Sequence, residues 1–199
     1  AIEFVSQLTP DDLLICLISG GGSALMTMPV IPLADLQSIT TALLANGARI
    51  DEINTIRRHL DSLKGGGLAQ AANGAAIISM ILSDVVGDSI EAIASGPTAP
   101  DTTTKEDAKI ILHKYVGQQA DQIQRDFRES LKPNDPAFNR VQNHIIASNQ
   151  IALQAAKEQA EVEGFAAQIV NDELQGEARE VGRQMARLLL KEERAKQGR

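Results

Sequence analysis

The chain has 199 residues, 43% of them hydrophobic and 23% charged, and apolar residues spread along the whole length exclude a disordered polypeptide and suffice for a buried core. Nineteen Lys and Arg against 26 Asp and Glu give a net charge of −7, which argues against a reader of the nucleic-acid backbone whose affinity rests on a basic face. The single Cys16 excludes an internal disulfide, and with three scattered histidines it makes no zinc or iron–sulfur ligand set.

The apolar run Leu13 to Ile18, closed by Ser19-Gly20-Gly21-Gly22-Ser23, reads as a strand buried on both faces that stops at a glycine loop. From Leu33 the apolar positions Leu36, Ile39, Leu43 and Leu44 recur at helical spacing, with Gly47 placed as a left-handed cap. Ile53, Ile56 and Leu60 continue as a second short helix. After Lys64-Gly65-Gly66-Gly67 come a helical patch from Leu68 to Ala72 and a second buried strand from Ala75 to Leu82. The stretch from Asp84 to Thr104 has little periodicity and carries Gly87, Gly96, Pro97 and Pro100, so it reads as a long loop, and long loops in compact domains are usually functional. Helices are expected at 104–115 and 119–131, the first capped by Thr103 or Thr104. A third strand covers His144 to Ala147, with Ser148 or Asn149 capping a helix to Glu163. Phe165 to Val170 reads as a fourth strand and Gly176 to Arg194 as a final helix.

Strands alternating with helices predict a three-layer α/β/α sandwich around a mostly parallel, Rossmann-like sheet. A single domain is expected over 1–190, with a charged tail at 191–199. No apolar run approaches the roughly 20 residues of a membrane helix, and residues 1–10 lack the features of a signal peptide. A cytoplasmic protein without a membrane or nucleic-acid partner is the expectation.

Ligands of open parallel sheets bind beyond the carboxyl ends of the strands. Ser19 to Ser23, Ser83 to Asp88 and Ser148-Asn149 all fall at such ends. A triple glycine lets backbone N–H groups approach an anion, which suits phosphate, the bland alternative being a tight strand-to-loop turn that binds nothing. It is neither a Walker A loop nor a dinucleotide fingerprint. Asp84 and Asp88, four residues apart, suit a Mg2+ ion held through oxygen ligands, action on a substrate hydroxyl, or the capping of a turn. Arg57, Arg58, His59 and Lys64 supply cationic charge between these loops, as phosphoryl transfer requires, while a solvated helix face explains any one of them alone. His113 and His144 carry no expected function.

The motifs Ile18 to Leu25 with Pro29, Asn46 to Asn54, Arg57-Arg58-His59-Leu60, Lys64-Gly65-Gly66, Leu82 to Asp88, Ala94 to Thr98 and Asp101-Thr102-Thr103 together resemble the class II glycerate kinases, also known as hydroxypyruvate reductases. The resemblance runs from about Leu14 to Glu180 and covers the central part of the family's N-terminal domain, with an expected truncation at both ends. Two positions depart from the family pattern: Asp61 stands where a Ser is usual, and Gly67 where Arg, Lys or Gln is usual.

The resemblance implies transfer of the γ-phosphoryl group of ATP to the 2-hydroxyl of D-glycerate with Mg2+. A homo-oligomer is expected separately, because a sheet cut at both ends exposes strand edges and a face that a second copy would cover. It implies Arg57, Lys64, Asp84 and Asp88 as catalytic residues, the two aspartates also as metal ligands. Ser19, Gly20, Gly21, Gly22, Ser23, Ser95, Gly96, Thr98 and Asn149 are implied as substrate or phosphate contacts, although a plain helix cap explains Asn149 by itself. The alternatives are an NAD(P)H-dependent hydroxypyruvate reductase, disfavoured by the missing fingerprint, and a non-catalytic fragment that binds a nucleotide or partner.

Overall fold

A computed structural model describes residues 2–117 and 123–197. The chain divides into two compact units, Ala1–Ser148 and Asn149–Arg199. In the first, β1 (Leu13–Ile18), β2 (Ala76–Leu82) and β3 (Val141–Ala147) form a parallel sheet in that order. Ile18 stands opposite Ile81 and Ile81 opposite Ile145, so the carboxyl ends of the three strands come out side by side. This is the α/β architecture expected from the alternation of elements.

Cys16, Ile18, Ile77 and Ile81 point to one face of the sheet, where they pack with Val5, Leu63, Leu68, Ala69 and Ala94. Leu13, Ile15 and Leu17 point to the other and are 54%, 55% and 76% exposed. The expectation that β1 is buried on both faces is therefore corrected. A strand alternates its side chains with period two, and a continuous apolar run does not say whether both sides are covered.

Among the described residues this unit carries, in chain order, the helices α1 (Ile2–Val5), α2 (Gly22–Leu25), α3 (Leu33–Ala45), α4 (Ile50–His59), α5 (Gly67–Ala71) and α6 (Lys105–Val116). A second core lies among α3, α4 and α6, built from Ile39, Leu43, Ile53, Ile56, Leu60 and Leu112. Gly47 takes the left-handed conformation just past α3, at φ 75°. Thr104 caps α6: its hydroxyl accepts from the Asp107 N–H at 3.1 Å while the Asp107 carboxylate accepts from the Thr104 N–H at 2.8 Å. Reciprocal bonds of this kind satisfy two orphan donors of the first turn.

Two further expectations are corrected. Of the helix expected at 119–131, residues 119–122 lie outside the described residues, Ile123 is helical, Gln124–Asp126 form one 3-10 turn, and 127–131 carry no regular structure. There the backbone is taken by distant partners: Arg128 N–H donates to the His59 carbonyl at 2.9 Å, and Leu131 N–H to that of Gly65 at 3.0 Å. The fourth strand expected at 165–170 is not formed; those residues carry no regular structure, and β-propensity makes no strand without a neighbour to complete its hydrogen bonds. The second unit contains the helices Asn149–Val162 and Ala178–Gln197. Among the described residues no helix is long and apolar enough to cross a membrane.

Candidate functional site

The glycine loop leaves β1 as a tight turn. Gly22 N–H reaches back to the Ser19 carbonyl at 3.4 Å, Gly21 lies at φ 84°, and the short helix α2 (Gly22–Leu25) follows at once. Ser19, Gly20 and Gly21 are exposed, Gly22 and Ser23 half-buried. The loop is pressed against the segment that leaves β2. A Cβ on Gly20 would stand 2.6 Å from Asp84 Oδ2, and one on Gly22 would stand 2.7 Å from the Ala94 Cβ. Only a bare backbone admits the Asp84 carboxylate this closely.

Asp84 is exposed, and its carboxylate makes no hydrogen bond or ion pair among the described residues. Asp88 is half-buried on a left-handed turn at φ 54°, its N–H bound to the Val85 carbonyl at 3.1 Å. The structure thus sets Asp84 against the glycine loop, while no hydrogen bond or ion pair joins Asp88 to that loop among the described residues. No group of three or more His, Cys, Asp or Glu among the described residues could by itself hold a metal ion. Mg2+ needs less, because it keeps several waters and is commonly held by one or two carboxylates plus substrate phosphates. An exposed, unengaged carboxylate over an open backbone fits that requirement.

Beside the loop is a cleft of about 530 Å3 whose walls include Ser23, Thr27, Thr40, Arg57 and Lys64. Lys64, 3% exposed, donates from Nζ to the carbonyls of Ser23 and Met26, both at 2.9 Å. Burial pushes its ammonium below the ordinary lysine range, the Asp61 charge opposes this, and Arg57 adds to it. Arg57 is half-buried, and burial likewise pushes its guanidinium down.

The long loop closes the other side. Ala94, Ser95 and Gly96 run through φ 52°, 61° and 63°. This left-handed run, two of its members not glycine, is strained backbone that its surroundings must hold in place. The holding contacts are visible. Ser95 Oγ lies 3.1 Å from Ser23 Oγ and donates to Asn54 Oδ1 at 3.5 Å. Gly65 N–H and Gly66 N–H donate to the carbonyls of Ser95 and Gly96 at 3.0 and 2.8 Å. The second triple glycine therefore spends these N–H groups on the long loop. Thr98, fully buried, donates to Asn143 Oδ1 at 2.7 Å and pairs with Ser79 Oγ at 2.9 Å, so it supports the loop from the sheet side.

Arg58 and His59 belong to the core. Arg58 Nε stands 3.0 Å from Asp101 Oδ2, both side chains buried, without the alignment of a hydrogen bond. Asp101 accepts from Thr103 N–H and Oγ1 at 3.0 and 2.7 Å. Burial pushes the Asp101 carboxyl up, but Arg58 and Thr103 outweigh it and hold the group below the ordinary range. His59 Nδ1 donates to the Thr55 carbonyl at 2.8 Å. Asn149 lies in the second unit, where its side chain donates to the Asp172 carbonyl at 3.1 Å.

The residues missed by sequence reasoning are Asn54, Thr27 and Asp61. Asp61 is buried and accepts at Oδ1 from the N–H of Leu63 and Lys64, at 2.8 and 3.3 Å, and at Oδ2 from Met28 N–H at 2.8 Å and from the Thr27 hydroxyl. At Gly67, the other departure from the family pattern, a Cβ would meet the Ser62 carbonyl oxygen at 2.1 Å. The backbone as it stands admits no side chain there.

Residues 1–132 match a family described as a domain of unknown function, DUF4147. The chain is 40% identical over 190 residues to the D-glycerate 2-kinase of Thermotoga maritima, covering 94% of this chain and 45% of that protein. It is 46% identical over 187 residues to the glycerate kinase of Rattus norvegicus, covering 90% and 35%. The crystal structure of the Thermotoga maritima glycerate kinase superposes with a TM-score of 0.77 at 40% identity, over 85% of this chain and 41% of that one. The chain thus spans less than half the length of these relatives.

Proposed function

The chain belongs to the DUF4147 family, and from that membership and the kinase names of its relatives we propose that it carries loops of an ATP-dependent glycerate 2-kinase that phosphorylates the 2-hydroxyl of D-glycerate. The observation that carries the reading is the approach of Asp84 Oδ2 to Gly20, 2.6 Å from where a Cβ would be. A carboxylate beside an anion-binding backbone repels phosphate unless a cation lies between them, and a nucleotide brings that cation.

Placement supports the following roles. The Gly20 to Ser23 backbone receives an anionic oxygen, from phosphate or from the substrate carboxylate. Asp84 binds the nucleotide's cation or orients the attacking hydroxyl, with Asp88 as the second candidate on the same segment. Arg57 and Lys64, on the adjoining cleft wall, neutralise charge on the transferred group. Ser95 and Gly96 fix the loop that borders the site, and Thr98 holds it from below. Mg2+, when bound, would offset the charge of the nucleotide phosphates. A cytoplasmic homo-oligomer acting on soluble metabolites suits this reading.

The test is a pair of coupled assays on the protein at its natural full length: ADP release with ATP and D-glycerate, and NADH oxidation with hydroxypyruvate. The kinase reading expects the first and not the second. NADH oxidation without ADP release would replace it with the reductase reading.

A further inference from the structure

We propose that Asp61 is a positioning residue for Lys64, fixing the ammonium in the cleft wall so that its uncommitted N–H meets an anionic oxygen of a bound phosphate or carboxylate. The identity of that ligand rests on the glycerate kinase reading; the clamp itself rests on geometry alone.

Asp61 is 5% exposed, and a buried carboxylate is tolerated only where its charge and lone pairs are answered. Four donors answer them, two on each oxygen. One oxygen holds the turn that carries Lys64, and the other holds Thr27 and Met28 across the cleft wall. Lys64 reaches back over the same gap to the carbonyls of Ser23 and Met26. Val30 N–H to the Leu60 carbonyl, and Ser62 N–H to that of Met28, both at 2.9 Å, complete the seam. Residues 23–30 and 60–64 are thus pinned together by a carboxylate that accepts on one side and an ammonium that donates on the other.

An ammonium has three N–H donors. Two of those of Lys64 are engaged among the described residues, both by neutral carbonyls. The countercharge is Asp61, which holds the preceding turn without taking an ammonium hydrogen. With Arg57 on the same wall, two cations and no carboxylate line the cleft among the described residues, and Asp61 lies behind Lys64. The excess of one positive charge, with the hydroxyls of Ser23, Thr27 and Thr40, suits a small anion bearing hydroxyl groups.

A carboxylate that merely stapled the turn would act on stability alone. Positioning adds a readout that stapling does not move, the titration of Lys64. The experiment follows the Lys64 side-chain resonance of selectively labelled full-length protein against pH, with inorganic phosphate and D-glycerate as separate additions, in the natural sequence, Asp61→Asn and Asp61→Glu. In the natural sequence either anion shifts the Lys64 resonance saturably. In Asp61→Asn, Lys64 loses its proton at lower pH and anion affinity falls about tenfold, the worth of one charge-assisted hydrogen bond, while Asp61→Glu recovers part of both. Unchanged titration and affinity in a folded Asp61→Asn would overturn the proposal. Should that variant not fold, the natural sequence decides: a Lys64 resonance that neither anion moves refutes the proposal, and one that saturates, with affinity lost in Lys64→Met, supports it. Absence of kinase activity with the Lys64 response intact would refute the kinase reading alone, and kinase activity without the response would refute this proposal alone.

Discussion

Gly20→Ala separates a functional Asp84 from a structural one more cleanly than changing Asp84 itself. The added methyl group would stand 2.6 Å from Asp84 Oδ2, where ordinary contact begins at 3.4 Å, so the carboxylate must retreat by 0.8 Å. It can, because Asp84 is exposed and unengaged, and a displaced χ angle costs about 0.5–1.5 kcal/mol. Gly20 lies outside the left-handed region, so alanine also gains about 0.4–1 kcal/mol from the less flexible unfolded chain. The two effects nearly cancel, and stability should change by less than about 1 kcal/mol. Activity should not survive as well, since a misplacement near 1 Å costs on the order of 10²-fold. Gly22→Ala is the control. Its methyl group meets the Ala94 Cβ at 2.7 Å, in the left-handed run, with no flexible end to yield, and overpacking of that kind costs about 1–3 kcal/mol. Thermal melts and ADP release at saturating ATP and D-glycerate, measured on both variants, check the pair. Full activity in a stable Gly20→Ala would show that the Asp84 carboxylate has no part in the reaction, and a loss of stability equal to that of Gly22→Ala would show that Asp84 is held by the fold.

Gly67→Ala should lose about 1–3 kcal/mol or more in urea unfolding, because its Cβ meets a backbone oxygen rather than a movable side chain. Arg58→Met leaves Asp101 a buried charge without its partner and should cost about 3–5 kcal/mol by the same measurement. Asp101 is held below the ordinary carboxyl range in the folded state, so its contribution to stability is present above the unfolded pKa and is lost as pH falls through the folded one. Urea melts from pH 6 downward should show that loss in the natural sequence and a shallower one in Asp101→Asn. Thr104→Ala removes the hydroxyl of the α6 capping pair and should cost about 1 kcal/mol, with no effect on ADP release.

The sequence by itself determined the three strands, the helices carrying Leu33, Ile53 and Thr104 at or near their starts, the left-handed cap at Gly47 and the long loop beginning at Asp84. Each of these is written in local periods and turn residues, and each is found. Motif order likewise pointed to the family. Only the tertiary structure decided which face of β1 is covered, that 127–132 is no helix, and that 165–170 is no strand, because a backbone group takes whichever partner the rest of the chain presents. The same holds inside the site. Lys64 and Asp84 were legible as charge, but the carbonyls of Ser23 and Met26 that hold Lys64, the bonds from Thr27 and Met28 to the Asp61 carboxylate, and the meeting of Asp84 with Gly20 join residues tens of positions apart. Hydrogen bonding and close packing act across space, so a carboxylate that braces a site and one that caps a turn have the same appearance in a sequence.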